Sequence, residues 1–383
     1  MTKFTMQVKD FKDITDKAAT AASKHGSLEH LKTLFFTVLD SGVVKVLGTN
    51  IDHYAEIRSE NAWETCPGEF GVAVEDVKVI SKMSGIVTLE DVSTENENKI
   101  RVLNGNKKIV IPKYSDSNIH LPEVKGNEKI ILTASESWFI ETISNLSSFT
   151  KDDEVANEVL KCFNFNTINK RVEACDSFRI GIRNIEEQTI ETESQVLLHN
   201  RCIPVLKKIM DKKSSYSVKL SSDNSYIRVE GKTFTYVSRL ANCIPLNVDK
   251  MMKIEGKYSF NVERESIFSV MKYNCDLLKS IKNPVFLYKK NGELRSYVNT
   301  GRYESFDRIE AESINMEDGF MIGFDPRLLV DVFLIIDHDM PTCIVSNERS
   351  PMFIKGNEYE FLILPVNISD KRQKAKLAIE MEG

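Results

Sequence analysis

The sequence predicts an α+β protein made of three copies of one unit, each a β-α-β-β-β pattern used twice. Two recurrences carry this prediction. First, "KFTMQVKDF" at Lys3, "IILTASESWF" at Ile130 and "YSFNVERESIF" at Tyr258 each read as an alternating strand, a polar turn and the start of an amphipathic helix. Aligning Phe4, Leu132 and Phe260 gives two equal offsets of 128 residues. Second, "VAVEDVKVISKM", "LLHNRCIPVLKKIM" and "IGFDPRLLVDVFLI" place Glu75, Asn200 and Asp325 at two further equal offsets of 125 residues.

The elements follow in order. The first helix of each copy carries apolar residues at helical spacing: Phe11, Ile14, Ala18 and Ala21; then Phe139, Ile143 and Leu146; then Met271, Cys275 and Leu278. In the second helices, Asn200 and Asp325 are good N-cap types, and Pro204 and Pro326 fall near the first turn. Between helices lie β-rich runs broken by Gly, Asn and Asp, among them "KKNGEL", whose Asn291-Gly292 pair favours a type I′ hairpin. Boundaries are expected at 1–126, 127–254 and 255–368, with 369–383 a charged, solvated tail.

The last strand-like run, "FLILPVNI" (Phe361 to Ile368), leaves its sheet near Pro365, because proline donates nothing to a ladder. Its apolar residues admit two readings, internal packing or an exposed apolar groove.

Composition narrows the function. With 42% hydrophobic and 28% charged residues, the 383-residue chain reads as an ordinary globular protein. The start, "MTKFTMQVKDFKDITDK", lacks the apolar middle of a signal peptide, and "LLVDVFLII" is too short to span a bilayer. A cytoplasmic protein is expected. The seven cysteines form no CxxC pair and the six histidines do not cluster, so neither a metal site, a disulfide framework nor a cofactor is indicated. Net charge is −5, but Arg201, Lys207, Lys208, Lys212 and Lys213 crowd one predicted helix, and Lys272, Lys279 and Lys282 another. A positive field confined to one face is the expectation.

Motifs for catalysis are missing from the sequence. "VEGKTFTY" has Gly231, Lys232 and Thr233, but Tyr226 stands where a phosphate-binding loop needs its first glycine. There is no HExxH, GxSxG or GxGxxG after a strand.

Four stretches carry a resemblance. "EACDSFRIGI" (Glu173 to Ile182) resembles the A-T-D-[GS]-H-R-L signature of bacterial DNA polymerase III β subunits, the sliding clamps. "FLILPVNI" resembles their closing strand, "KVLGTNID" their L-x-G-T-D-L-E, and "KFTMQVKDF" their K-F-T opening. They occur in order on a threefold repeat, and the resemblance covers residues 1 to 368.

The resemblance implies a three-domain DNA clamp, a non-catalytic processivity subunit without cofactors. Two chains would pair head to tail as a homodimeric ring, helices inside and sheets outside. Double-stranded DNA would meet Lys24, Arg201, Lys207, Lys208, Lys212, Lys272 and Lys279 without sequence specificity. A groove would take short peptides of a polymerase III α subunit or its equivalent, a clamp loader and repair proteins. Its wall would comprise Cys175, Ser177, Phe178, Arg179, Ile180, Pro245, Leu362, Leu364, Pro365, Val366 and Ile368. Two buried anchor side chains suggest affinity on the order of micromolar. Ile109 and Ile111 of one subunit would face the region of Leu277 and Leu278 of the other.

The departures from the pattern are Phe178 for histidine, Leu364 and Val366 for methionines, Asn367 for arginine, and "LNVDKMM" after Pro245. A different peptide preference follows, and a diverged paralogue serving mainly as a peptide scaffold is the alternative. An unrelated repeat-built enzyme is the third reading.

Overall fold

The computed structural model describes residues 1–381 apart from 24–27, 116–118, 125, 154, 187–188, 224, 254 and 280. The threefold recurrence is present as strand-to-helix pairs. Lys3–Gln7 leads into the helix Val8–Ala18, Lys129–Ser135 into Glu136–Asn145, and Tyr258–Val262 into Arg264–Leu278. The second set is Gly68–Ala73 into Val74–Ile80, Gln195–His199 followed by Cys202–Ile209, and Met321–Phe324 into Pro326–Ile335. Three strands follow each of these helices, with a fourth, Trp63–Cys66 or Ala311–Asn315, added after the first helix of the outer copies, so the β-α-β-β-β pattern recurs twice per copy.

Local chemistry sets the helix starts. Asp325 accepts from the Arg327 N–H at 3.0 Å, with Pro326 at the first helical position, as expected. Glu263 caps the third long helix by accepting from the Glu265 and Ser266 N–H groups. One expected cap sits elsewhere: Arg201 occupies the cap position after Asn200, and Glu75, at the matching position of the first copy, lies inside the first turn of its helix. The Asn291-Gly292 hairpin has φ of 55° and 80°, the two left-handed residues of a type I′ turn. "VEGKTFTY" is a hairpin turn between Tyr226–Glu230 and Phe234–Arg239.

The chain divides into two compact units, 1–144 with 186–242, and 145–185 with 243–383. Each holds one outer copy and half of the middle one, because sheets run across copies. In the first unit Phe234–Arg239 pairs with His53–Ser59, Tyr236 opposite Ala55, which joins strands of two copies into one eight-stranded antiparallel sheet. A five-stranded sheet ends on the edge strand Lys107–Pro112. In the second unit Arg179–Asn184 pairs with Tyr359–Ile363, Ile180 opposite Leu362. A four-stranded sheet there runs from the edge strand Glu304–Ile309 to the edge strand Met321–Phe324.

The apolar periodicities become core. Phe4, Phe11, Phe36 and Phe70 form a ladder of stacked rings with centroids 5.4–6.1 Å apart. Helix Val8–Ala18 closes on the strand Val44–Thr49 at Gly48, where a Cβ would lie 2.1 Å from the Ala18 carbonyl oxygen. Only glycine fits there, which explains the glycine of "KVLGTNID". Of the predicted helix-face residues, Cys275 is only half-buried, and Asn274 takes the inward position instead.

One expectation is overturned. Residues 369–383 are not simply a solvated tail: Ser369–Met381 is a helix with Ala375 fully buried against Phe286, Tyr288, Tyr297 and Met321. Alanines pack a helix tightly onto a flat aromatic surface, so a sequence dense in charge still buries one stripe.

Candidate functional site

The signature segment builds a tight turn. Asp176 accepts from the Phe178 N–H at 2.9 Å and the Arg179 N–H at 3.1 Å, and Ser177 takes a left-handed φ of 79°. The turn sends Phe178 outward, 57% exposed, with the Lys151 ammonium 5.4 Å from its ring centroid. Ile180 and Leu362, paired on neighbouring strands, lie on one face with Cys175. The alternate residues Phe361 and Ile363 face the core. Burial pushes the Cys175 thiol up, so it serves as an apolar filler.

The short helix Val248–Met252 covers this face. Asn247 caps it by accepting from the Lys250 N–H at 3.2 Å, and Val248 packs with Ile180, Ile182 and Leu362, flanked by Leu246 and Met252. Pro245, half-buried, precedes it. Leu246, Val248 and Met252 were missed in the sequence; an Asn cap followed by apolar residues in "LNVDKMM" was the available signal.

Leu362 is 4% exposed, whereas Leu364 is 40% exposed and its N–H donates to the Phe178 carbonyl at 2.8 Å. Phe178 and Leu364, both apolar and exposed, thus belong to adjacent backbone. Pro365, Val366 and Ile368 are half-buried.

Arg179 points elsewhere. Its buried guanidinium pairs with Asp176 at 2.9 Å and Asp331 at 2.8 Å, donates to the Ser148 carbonyl at 2.6 Å, and lies 4.6 Å from the Phe149 ring centroid. It is an internal brace for the turn, since four partners compensate its desolvation.

The basic residues are surface groups. Arg201, Lys207, Lys208, Lys212, Lys272 and Lys279 are all exposed; Lys24 lies outside the described residues. Lys207 and Lys208 sit at the C-terminal end of Cys202–Ile209, whose other face buries Cys202, Val205, Leu206 and Ile209. Arg201 stands 3.9 Å from Asp52, a loose exposed pair. Nearby His53 is buried, which lowers its pKa to about 4 against the opposing pull of Asp52.

On the edge strand Lys107–Pro112, Ile109 is half-buried and Ile111 buried, opposite Val102 and Ile100; the side chain turned outward is Val110, 47% exposed. Leu277 is half-buried and Leu278 buried in its own unit.

In a cleft of about 880 Å³ in the first unit, Arg58 pairs with Glu56 at 3.1 Å and Arg228 with Glu128 at 3.2 Å. Among the described residues no three His, Cys, Asp or Glu side chains converge as a metal site, and no helix is long and apolar enough to cross a membrane.

Solved structures of similar shape decide the architecture. A protein described as a DNA polymerase III β subunit from Eubacterium rectale superposes with a TM-score of 0.86 at 20% identity, covering 96% of this chain and all of that one. The fold is that of a sliding clamp. The Bacillus subtilis DNA polymerase sliding clamp gives 0.85 at 18% identity, covering 96% and 99%, and the Streptococcus pneumoniae DNA polymerase III β chain 0.85 at 16%, covering 96% and 100%. No protein-family model matches the sequence, and no curated protein matches it significantly. At this identity the clamp fold is held by its periodic core; the four stretches that resemble the clamp motifs lie on the elements just described.

Proposed function

We propose that the protein is a DNA sliding clamp, a non-catalytic processivity factor whose two copies close head to tail around duplex DNA. The observation that carries this reading is the match of the clamp fold across 96% of the chain. The three domains of each chain would be 1–126, 127–254 and 255–368.

The exposed lysines of Cys202–Ile209 and Arg264–Leu278 would meet phosphates through salt-sensitive contacts that carry no sequence information. Ring closure would pair edge strands, Lys107–Pro112 of one copy with Glu304–Ile309 of the other, since unpaired edges are ready templates for another strand. Phe178, Leu364, Pro365 and Val366 would receive short peptides of a replicative polymerase, a clamp loader and repair proteins, with Ile180 and Leu362 as the floor beneath them.

The test is retention on DNA after loading. The expected particle has twice the 43.6 kDa chain mass and stays on nicked circular DNA while sliding off linear DNA of the same length. Equal loss from both substrates would refute the encircling reading.

A further inference from the structure

The segment between the last strand and the last helix is tied down along its length. Leu364 donates to the Phe178 carbonyl at 2.8 Å, and two residues on Val366 donates to the Gly323 carbonyl, also at 2.8 Å. That second bond brings the chain against the edge strand Met321–Phe324 of the four-stranded sheet. The approach needs Gly323: a Cβ there would lie 2.9 Å from the Phe286 ring and 3.2 Å from the Val366 carbonyl oxygen.

Ser369–Met381 then lies across the same sheet. Ala375 is buried on Phe286, Tyr288, Tyr297 and Met321, with Phe306, Ala378 and Ile379 beside it. Polar ties surround that contact. Arg372 donates to the Met321 carbonyl and pairs with Glu348 at 2.5 Å. Lys371 reaches the Lys282 carbonyl at 3.1 Å, and Lys290 donates to the Ile379 carbonyl at 2.9 Å.

We propose that this C-terminal helix is a staple that holds Leu364 to Ile368 in one extended course, keeping Leu364, Pro365 and Val366 presented to a bound peptide. The proposal rests on reading that segment as a peptide-binding wall. Without the helix, residues 364–368 would be a chain end held by two backbone hydrogen bonds, and chain ends fray. A peptide would then have to order the segment as it binds, at the expense of affinity. Arg372 and Lys371 are accordingly positioning residues, remote from the proposed contact surface.

Amide hydrogen exchange and peptide binding test this together. The full chain is compared with a chain stopped after Ile368 and with the full-length Lys371→Ala/Arg372→Ala variant, which loosens the helix without baring the aromatic sheet face. Exchange at the Leu364 and Val366 amides should accelerate by about a hundredfold on truncation and about tenfold in the double variant, with Tyr359–Ile363 still protected. A fluorescein-labelled hexapeptide ending in Leu-Phe should bind both at least about tenfold more weakly. Unchanged exchange at both amides in both variants overturns the staple. Faster exchange with unchanged affinity overturns its role in presentation. A hexapeptide that binds no form, with exchange still responding, overturns the peptide-wall reading and leaves the mechanical staple supported.

Discussion

Leu364→Asp separates the two readings of the closing segment. The side chain is 40% exposed, and the backbone N–H that donates to Phe178 is untouched by the substitution. Full burial of a leucine is worth about 1.5–3 kcal/mol, so losing the covered three-fifths should cost about 1–2 kcal/mol. At roughly 2–4 °C per kcal/mol for domains of this size, Tm should fall by about 2–8 °C, leaving a folded protein at room temperature.

Binding should suffer more than folding. A peptide that covers the exposed two-fifths gains about 0.6–1.2 kcal/mol from Leu364; an aspartate loses that and adds the desolvation of a carboxylate. Together these exceed about 1.4 kcal/mol, which is at least tenfold in Kd. The assays are thermal unfolding followed by circular dichroism and fluorescence anisotropy with the Leu-Phe hexapeptide. A Tm loss well beyond 10 °C would show Leu364 to be a core residue, and unchanged affinity in a stable variant would remove it from the binding wall.

Three further outcomes are expected. Asn274 is fully buried on Arg264–Leu278 with neither amide atom hydrogen-bonded, so Asn274→Leu should stabilise the protein by about 1–3 kcal/mol in urea unfolding; destabilisation would mean that an ordered water satisfies the amide. His53, with its pKa lowered to about 4 chiefly by burial, binds fewer protons folded than unfolded between pH 4 and its ordinary 6.5. Stability should therefore be complete above pH 6.5 and fall by about 1–3 kcal/mol towards pH 4, and His53→Gln should flatten that limb. Lys207→Glu/Lys208→Glu should shorten retention on circular DNA and reduce the salt slope by roughly two, at unchanged Tm; an unchanged slope would remove Cys202–Ile209 from the DNA-facing surface.

The fold was legible in the sequence because repetition multiplies weak signals. Phe4, Leu132 and Phe260 each begin an ambiguous strand, but equal offsets make three ambiguities one pattern. The pairing of Ala55 with Tyr236, and of Ile180 with Leu362, was not legible, since register between distant strands leaves no local trace. The C-terminal helix was missed for a different reason: its buried stripe is Ala375 with Ala378 and Ile379, small residues that charge outweighs in any average over the window. Arg179 was read as a groove residue because its neighbours Phe178 and Ile180 belong to that face. Alternation along the strand sends it to the other side, where Asp176 and Asp331 wait.

That placement of Arg179 has a consequence for the proposed function. With its guanidinium consumed internally, the exposed patch of Phe178 and Leu364 has Lys151 as its cation, and that ammonium lies over the Phe178 ring. Peptide binding there would be driven by apolar area, which salt leaves nearly unchanged, whereas DNA retention through exposed lysines would weaken steeply with salt. The two proposed surfaces should therefore differ in their response to ionic strength. Raising salt from about 50 to 200 mM should release DNA while the Leu-Phe hexapeptide stays bound, its affinity changing by no more than the screening of about one charge. A peptide affinity that collapsed in parallel with DNA binding would mean that cations elsewhere in the second unit, such as Lys250, form the rim of the groove.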